Sequence, residues 1–198
     1  MAYIAKLSNS GGVKSLTRYV SALAGNEAFV ENSYESIATI TVGAGGSSSC
    51  SFTSIPQIYK HLQIRLIGKI ASATGAPSIY FNGSASGTSY AYHHLRGNGS
   101  SATATAAASQ PYMTDIISPS TVWNNSQFTA AVIDILDYAD ANKNKTLRML
   151  AGVDNNGSGV LELYSGLWIN TAAITQLDLF NGYTWSQYSS FALYGIKG

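Results

Sequence analysis

Charged residues are scarce in this 198-residue chain, in which Lys, Arg, Asp and Glu together make up 11% of the sequence. Eleven basic residues balance ten acidic ones, and the formal net charge is +1. Lys and Arg nowhere occur three in succession. Electrostatic binding of nucleic-acid phosphates needs clustered positive charge, so the sequence does not predict a nucleic-acid partner. A near-neutral surface also does little to keep molecules apart, which favours oligomerisation.

Cysteine and long apolar runs are also lacking. Cys50 is the single thiol, which excludes an internal disulfide and predicts a side chain that is buried or has no chemical role. No window reaches the roughly 18 apolar residues of a membrane span. The opening MAYIAKLSNSGG lacks the basic patch and the apolar stretch of a secretory signal. We therefore expect a soluble chain that is made in a cytoplasm and has no membrane partner.

Residues that carry catalytic or metal chemistry are few and badly placed for it. His93 and His94 are adjacent, and adjacent side chains of a strand point to opposite faces, so the pair does not chelate one metal ion. The carboxylates of Asp134 and Asp137 separate in the same way if their segment is a strand. The loop 154–159 lacks the spacing of a calcium-binding loop and is typical of an Asn-Gly hairpin turn. The sequence predicts no cofactor, no metal site and no enzymatic activity.

Strand patterns dominate from about residue 34 onward. In KHLQIRLIGKI, Leu62, Ile64 and Leu66 fall on one face and polar residues on the other, as in a half-buried antiparallel strand. About nine or ten such segments without βαβ alternation predict an all-β, antiparallel β-sandwich of the jelly-roll type over residues 34–198. The turn signals between the segments include Asn82-Gly83, Asn98-Gly99, Asn156-Gly157 and Asn181-Gly182.

Two segments leave alternatives open. FTAAVIDILDYADANKN has apolar residues on both phases, so 128–140 fits either a helix or a strand buried on both faces. Its β-branched and aromatic members favour the strand. The polar stretch SSATATAAASQ predicts a surface loop or a weak edge strand.

Residues 1–33 follow a helical rather than a strand pattern. A turn-forming Ser/Asn/Gly segment precedes a short amphipathic helix, which Gly25 ends. Such a short helix is not stable alone in water, so its apolar stripe must lie on the chain's own body or on a neighbouring subunit. We expect an N-terminal arm that docks on other subunits. The docking stripe consists of Leu16, Tyr19, Val20 and Leu23.

Aromatic residues are plentiful, with thirteen tyrosines and three tryptophans in a background rich in Ser, Gly and Asn. This composition is typical of contact surfaces, because Tyr and Trp offer a large area at small entropic cost. Trp123, Tyr183 and Trp185 fall in predicted loops, where a sugar ring could stack on them. The other interpretation, in which such residues fill the core or contact subunits, is favoured.

Three blocks of the sequence resemble one group of proteins. They are KSLTRYVSALAGN, SYESIATITVGAGGSSSCSFTSIPQIYKHLQIRLIG and QYSSFALYGIKG. Together they resemble virion proteins of tailed bacteriophages, over nearly the whole chain and with the blocks in the same order. The blocks are structural motifs and contain no catalytic signature. The resemblance therefore indicates the group of proteins better than it indicates the role within that group.

The resemblance implies a small β-sandwich displayed on the phage particle, as a capsid decoration (cement) protein or as part of the tail or a fibre. We expect a homotrimer that is made in the host cytoplasm and assembled on the particle exterior. Its partners would be the major capsid protein or other virion proteins, and its function would be to bridge shell subunits. The alternative is a tail or fibre domain that binds a host-surface glycan.

Overall fold

The computed structural model describes residues 33–71, 77–114, 116 and 127–198. The predicted N-terminal helix lies outside these residues. Every regular element of the described residues is a strand, and no helix among them is long and apolar enough to cross a membrane. The eleven strands are β1 Tyr34–Thr41, β2 Ser47–Phe52, β3 His61–Gly68, β4 Ser78–Phe81, β5 Tyr90–Gly97, β6 Ala102–Gln110, β7 Thr129–Leu136, β8 Lys145–Asp154, β9 Gly159–Trp168, β10 Leu177–Trp185 and β11 Ser190–Ile196.

The strands form two antiparallel sheets. The large sheet has eight strands in the order β1-β11-β3-β7-β8-β9-β5-β6, and the small sheet has three in the order β2-β10-β4. Buried side chains from both sheets belong to one hydrophobic cluster. The described fold is therefore the all-β antiparallel sandwich that the sequence predicts.

The strand pairing is nested from the ends of the chain inward. β1 pairs with β11, β2 with β10 and β3 with β7. β4 continues the series through Ile79 and Met113, whose N–H groups donate to each other's carbonyl oxygens at 2.9 and 3.1 Å. Four nested antiparallel pairs make a double-stranded ribbon that is wound into two sheets. This is a jelly-roll-like arrangement, which confirms the predicted fold class.

Two inserted hairpins widen the large sheet beyond this ribbon. Hairpin β5-β6 follows β4 along the chain, and hairpin β8-β9 follows β7. They join the sheet because β8 pairs with β7 and β9 pairs with β5. The segment SSATATAAASQ supplies β6 at the end of the sheet, so the edge-strand alternative is the correct one. Half of the large sheet thus consists of inserted strands.

The ambiguous segment at 128–140 contains strand β7 and no helix. Its burial alternates: Ile133 and Ile135 are fully buried, whereas Val132 is exposed and Asp134 half-buried. β7 is therefore buried on one face, and the apolar residues on its second phase face away from the core. In β3, Leu62, Ile64 and Leu66 are buried together on one face, as their spacing predicts.

Three of the four Asn-Gly signals mark turns, and the fourth is wrong. Asn82-Gly83 and Asn156-Gly157 join their strands with positive φ at both residues, and Gly99 also has a positive φ of 85°. Asn181-Gly182 instead lies inside β10, where the pairing with β2 shifts register between Phe180 and Trp185. The chain reverses after β10, at 186–189, where the Ser189 N–H donates to the Ser186 carbonyl.

Candidate functional site

The outer face of the large sheet, which points away from the core, carries large aliphatic side chains on five neighbouring strands. We call this set the apolar outer face. Its members are between 39% and 61% exposed although they lie in regular strands. They are Ile67 of β3, Val132 of β7, Leu150 of β8, Leu161 and Leu163 of β9, and Leu95 of β5.

Strand register places four of these residues in one continuous row. Val132 pairs with Leu150, Leu150 with Leu163, and Leu163 with Leu95. Since neighbouring strands lie about 4.8 Å apart, the row crosses roughly 14 Å of the sheet without a polar interruption. Contiguous exposed apolar surface of this kind marks sites of protein interaction more often than solvent-exposed surface.

A second row runs beside the first and alternates large residues with small ones. Ile67 pairs with Ala130, Ala130 with Gly152, and Gly152 with Leu161. Leu161 in turn pairs with Gly97. The apolar outer face is therefore ridged, with Ile67 and Leu161 standing above positions that have little or no side chain.

A depression of about 480 Å³ lies over strands β9, β5 and β6. Leu163, Leu95 and His93 line it, and the small side chains of Ala104 and Ala106 leave it open. Its lining is mainly apolar because β6 presents alanines next to the leucines of β5 and β9. The depression extends the apolar outer face to the edge of the sheet.

A hydrogen-bonded polar border flanks the apolar rows. The Gln63 amide donates to Asp134 Oδ1 at 2.9 Å, and Arg148 Nε donates to Asp134 Oδ2 at 3.1 Å. Arg65 Nε donates to Gln63 Oε1 at 3.1 Å. A polar border of this kind usually surrounds an apolar contact surface. Its side chains hydrogen-bond to one another, so they have partners whether or not a second protein is bound.

Two tyrosines extend the border on strands β1 and β11. The Arg65 guanidinium lies 5.6 Å from the ring centre of Tyr34 and 5.2 Å from that of Tyr194. Tyr34 is 45% exposed. Aromatic rings beside planar hydrogen-bonding groups are the kind of surface on which a sugar ring can stack.

The inner face below the leucines holds a buried charged cluster. Glu162 of β9 is 1% exposed, and its Oε1 lies 3.0 Å from His94 Nδ1 and 3.3 Å from an Arg96 terminal nitrogen. The rings of Tyr92 and Tyr164 pack beside His94. His93 is exposed on the opposite face, as its strand position predicts. The Arg96–Glu162 ion pair of this cluster ties β5 to β9.

A second buried cation is held by backbone carbonyls. Lys145 is 1% exposed, and its ammonium donates to the carbonyls of Lys143 at 2.6 Å and Thr171 at 2.9 Å, and to that of Asp140. The lysine thus joins the loop before β8 to the loop after β9. Among the described residues, no three His, Cys, Asp or Glu side chains stand close enough to hold a metal ion.

The predicted site residues have different outcomes. Trp185 lies in β10 rather than in a loop, is fully buried, and packs edge-to-face on Phe191 at 4.9 Å. The alternative in which Trp185 offers a sugar-stacking surface is therefore wrong, because its ring is fully buried. Tyr183 also lies in β10, but its side chain is outside what the structure describes. Trp123 and the arm residues Leu16, Tyr19, Val20 and Leu23 lie outside the described residues.

The leucines of the apolar outer face were not singled out by the sequence analysis. In VLELYSGLW, Leu161 and Leu163 are exposed while Glu162 is buried, so the usual assignment of the two phases is inverted. The aromatic residues of the other phase could have indicated the correct orientation. Tyr164, Gly166 and Trp168 share the phase of Glu162, and all three are buried. The bulkier aromatic phase of this strand faces the core.

Comparison of the chain with protein-family models, with curated proteins and with solved structures finds no match.

Proposed function

We propose that this chain is a non-enzymatic structural protein of a bacteriophage virion, and that it acts as a capsid decoration (cement) protein. It assembles as a homotrimer on the particle exterior and contacts the major capsid protein or other virion proteins. The apolar outer face is the observation that carries the proposal, since exposed aliphatic surface of this kind is typical of a protein that assembles with others, copies of itself included. The resemblance of the three sequence blocks supports the virion context, and the jelly-roll-like fold agrees with it without fixing the function.

The proposed mechanism is bridging between shell subunits. Each contact removes apolar area from water, worth about 25 cal/mol per Å². A symmetric shell repeats every contact many times, so a modest gain for each copy adds up over the particle. In this proposal the N-terminal arm attaches the sandwich through Leu16, Tyr19, Val20 and Leu23.

The arm's role is tested by binding of the purified protein to particles that lack it. Deleting residues 1–33 should leave the sandwich folded and abolish attachment. In the full-length chain, Leu16→Asp with Leu23→Asp should do the same, because both changes place charge on the apolar stripe. Ser21→Asp is the matched control, since position 21 lies on the opposite side of a helix. Full occupancy by either arm variant would exclude the docking role.

A second candidate function is glycan binding in a tail or fibre, and the Tyr34–Arg65–Tyr194 arrangement favours it. These side chains join Trp123 and Tyr183 as candidates, whereas Trp185 is removed from them. Tyr34→Ala should then weaken binding of the intact oligomer to host cells or host polysaccharide, with the exposed Tyr188→Ala as control. A blank glycan array together with normal host adsorption of the variant would eliminate this alternative.

Immunogold labelling of intact particles separates the two functions. Label over the head supports decoration, and label confined to the tail or fibres supports glycan binding. Absence of the protein from purified particles, checked by mass spectrometry after denaturation, would contradict both.

A further inference from the structure

We infer that the apolar outer face packs against the same face of a second copy of this chain, about a two-fold axis that lies between β8 and β9 and runs along the strands. The inference deepens the proposed function, and it rests on that proposal only in treating this face as a protein-contact surface. It does not depend on the virion context.

The strand order shows which elements would meet. A two-fold rotation about this axis lays β8 on β9 of the second copy and β7 on β5 of the second copy. It also lays β3 on β6 of the second copy. The rotation does not change the position of a residue along the strand direction. Each row of side chains that crosses the sheet therefore meets the same row of the other copy. The contact is isologous, which is the commonest symmetry of soluble oligomers.

The central row then meets apolar residues throughout its length. Leu150 faces Leu163 of the second copy, and Val132 faces Leu95 of the second copy. Each of these four residues is at least 39% exposed in a single chain. The pairing therefore covers the whole of this exposed row, and the axis passes through its centre.

Side-chain size is complementary away from the axis. Leu161, the most exposed of these aliphatic residues at 61%, faces Gly152 of the second copy. Ile67 of β3 faces Ala102 of β6, and Arg65 faces Ala104, so the large residues of β3 meet the alanines of the edge strand β6.

The polar border is complementary as well. Asp134 faces His93 of the second copy, and Arg148 faces Ser165 of the second copy. No like charges are brought together in this row. It would form the polar rim that surrounds the apolar centre of a typical interface.

The available area fits a specific contact. Six strands at about 4.8 Å and three rows at about 6.7 Å cover roughly 600 Å² in projection, before side-chain relief is added. A standard interface buries about 800 Å² of each partner. Two sheets packed face to face at about 10 Å, with their strands close to parallel, provide such a contact.

The first test is sedimentation equilibrium of the full-length chain. The wild type should form an assembly with an even number of chains, either a dimer of twice the 20.9-kDa chain mass or, with the proposed trimer, a hexamer. Leu150→Lys should halve that mass. Ile58→Lys, at a 76% exposed aliphatic residue in the loop after β2, should leave it unchanged. A monomeric or trimeric wild type, or an unaltered mass for Leu150→Lys, would overturn the inference.

The second test does not depend on how a charged variant folds. Copies carrying Val132→Cys are mixed with tagged copies carrying Leu95→Cys and treated with a short bismaleimide. The two thiols face each other across the proposed contact, whereas two Val132→Cys copies place theirs on opposite sides of the axis. The mixed product should dominate, and a product confined to like pairs or no product would contradict the contact. Cys50 does not compete, because burial raises the pKa of its thiol to about 11.

The two proposals fail by different readouts. Loss of the even-numbered assembly with intact particle binding would leave the cement function standing without the two-fold contact. Loss of particle binding with an intact even-numbered assembly would leave the two-fold contact standing and contradict the cement function.

Discussion

The two faces of the large sheet carry similar side chains and have opposite surroundings. On the inner face, Ile133 and Leu147 are buried in the hydrophobic cluster to which both sheets contribute. On the outer face of the same strands, Val132 and Leu150 are 39% and 51% exposed. The hydrophobicity of a strand therefore does not identify the core by itself. A second layer covers one face, and the other remains available to a partner.

The ion pairs of the two faces provide the sharpest contrast and the largest expected effect. Glu162→Ala should lower the free energy of unfolding by about 3–5 kcal/mol, because it leaves His94 and Arg96 without their buried partner. Arg148→Ala on the outer face should cost at most about 1 kcal/mol, because its ion pair with Asp134 is formed by a largely exposed side chain. Denaturant unfolding in the Leu150→Lys background, where the two-fold contact does not contribute, measures both values. Equal costs would contradict the assignment of the two faces.

Adjacent apolar residues test the same comparison without charge. Ile133→Ala should cost about 2–5 kcal/mol, because it removes a fully buried side chain from the core. Val132→Ala, one residue earlier and on the outer face, should change monomer stability by no more than about 0.5 kcal/mol. The matched readout is again denaturant unfolding in the Leu150→Lys background. A large loss at position 132 would mean that the outer face is covered within the chain itself.

The smallest effect is expected at Asp137, which follows β7. Hydrogen bonds from Lys143 and then Lys60 lower the pKa of its carboxyl from 3.8 to about 2. A depressed pKa in the folded state stabilises the fold above the unfolded-state pKa, and this contribution is lost as the pH falls from about 4 towards 2. The wild type should therefore melt slightly above Asp137→Asn at neutral pH, with the difference shrinking towards pH 2 and disappearing below it. A difference that persists there would exclude the ion-pair origin.

The sequence patterns were reliable where one physical cause acts on a short segment. Alternation located β3, and Asn-Gly pairs located turns because Asn and Gly accept positive φ. The pattern at 128–140 favoured a strand, and β7 occupies that segment. The turn predicted at Asn181-Gly182 is absent because β10 continues through these residues with a register shift. Pairing between strands overrides the local turn preference there.

The phase of β9 and the place of Trp185 could not be predicted in the same way. Leu161 and Glu162 alternate correctly for a strand, but alternation does not say which phase faces inward. Glu162 is buried because His94 and Arg96, from a strand about 66 residues earlier, meet it across the β5–β9 pair. Trp185 is buried because its aromatic ring packs against Phe191. Both outcomes depend on partners that are not local in the sequence.

By itself the sequence determined the all-β class, most turns, and the absence of a disulfide, because composition, period and cysteine count act locally or on the whole chain. Only the tertiary structure decided which apolar phase forms the core and that two inserted hairpins align four aliphatic residues in one exposed row. The physical reason is that register between strands places distant residues side by side, whereas the period along a strand sets only the alternation.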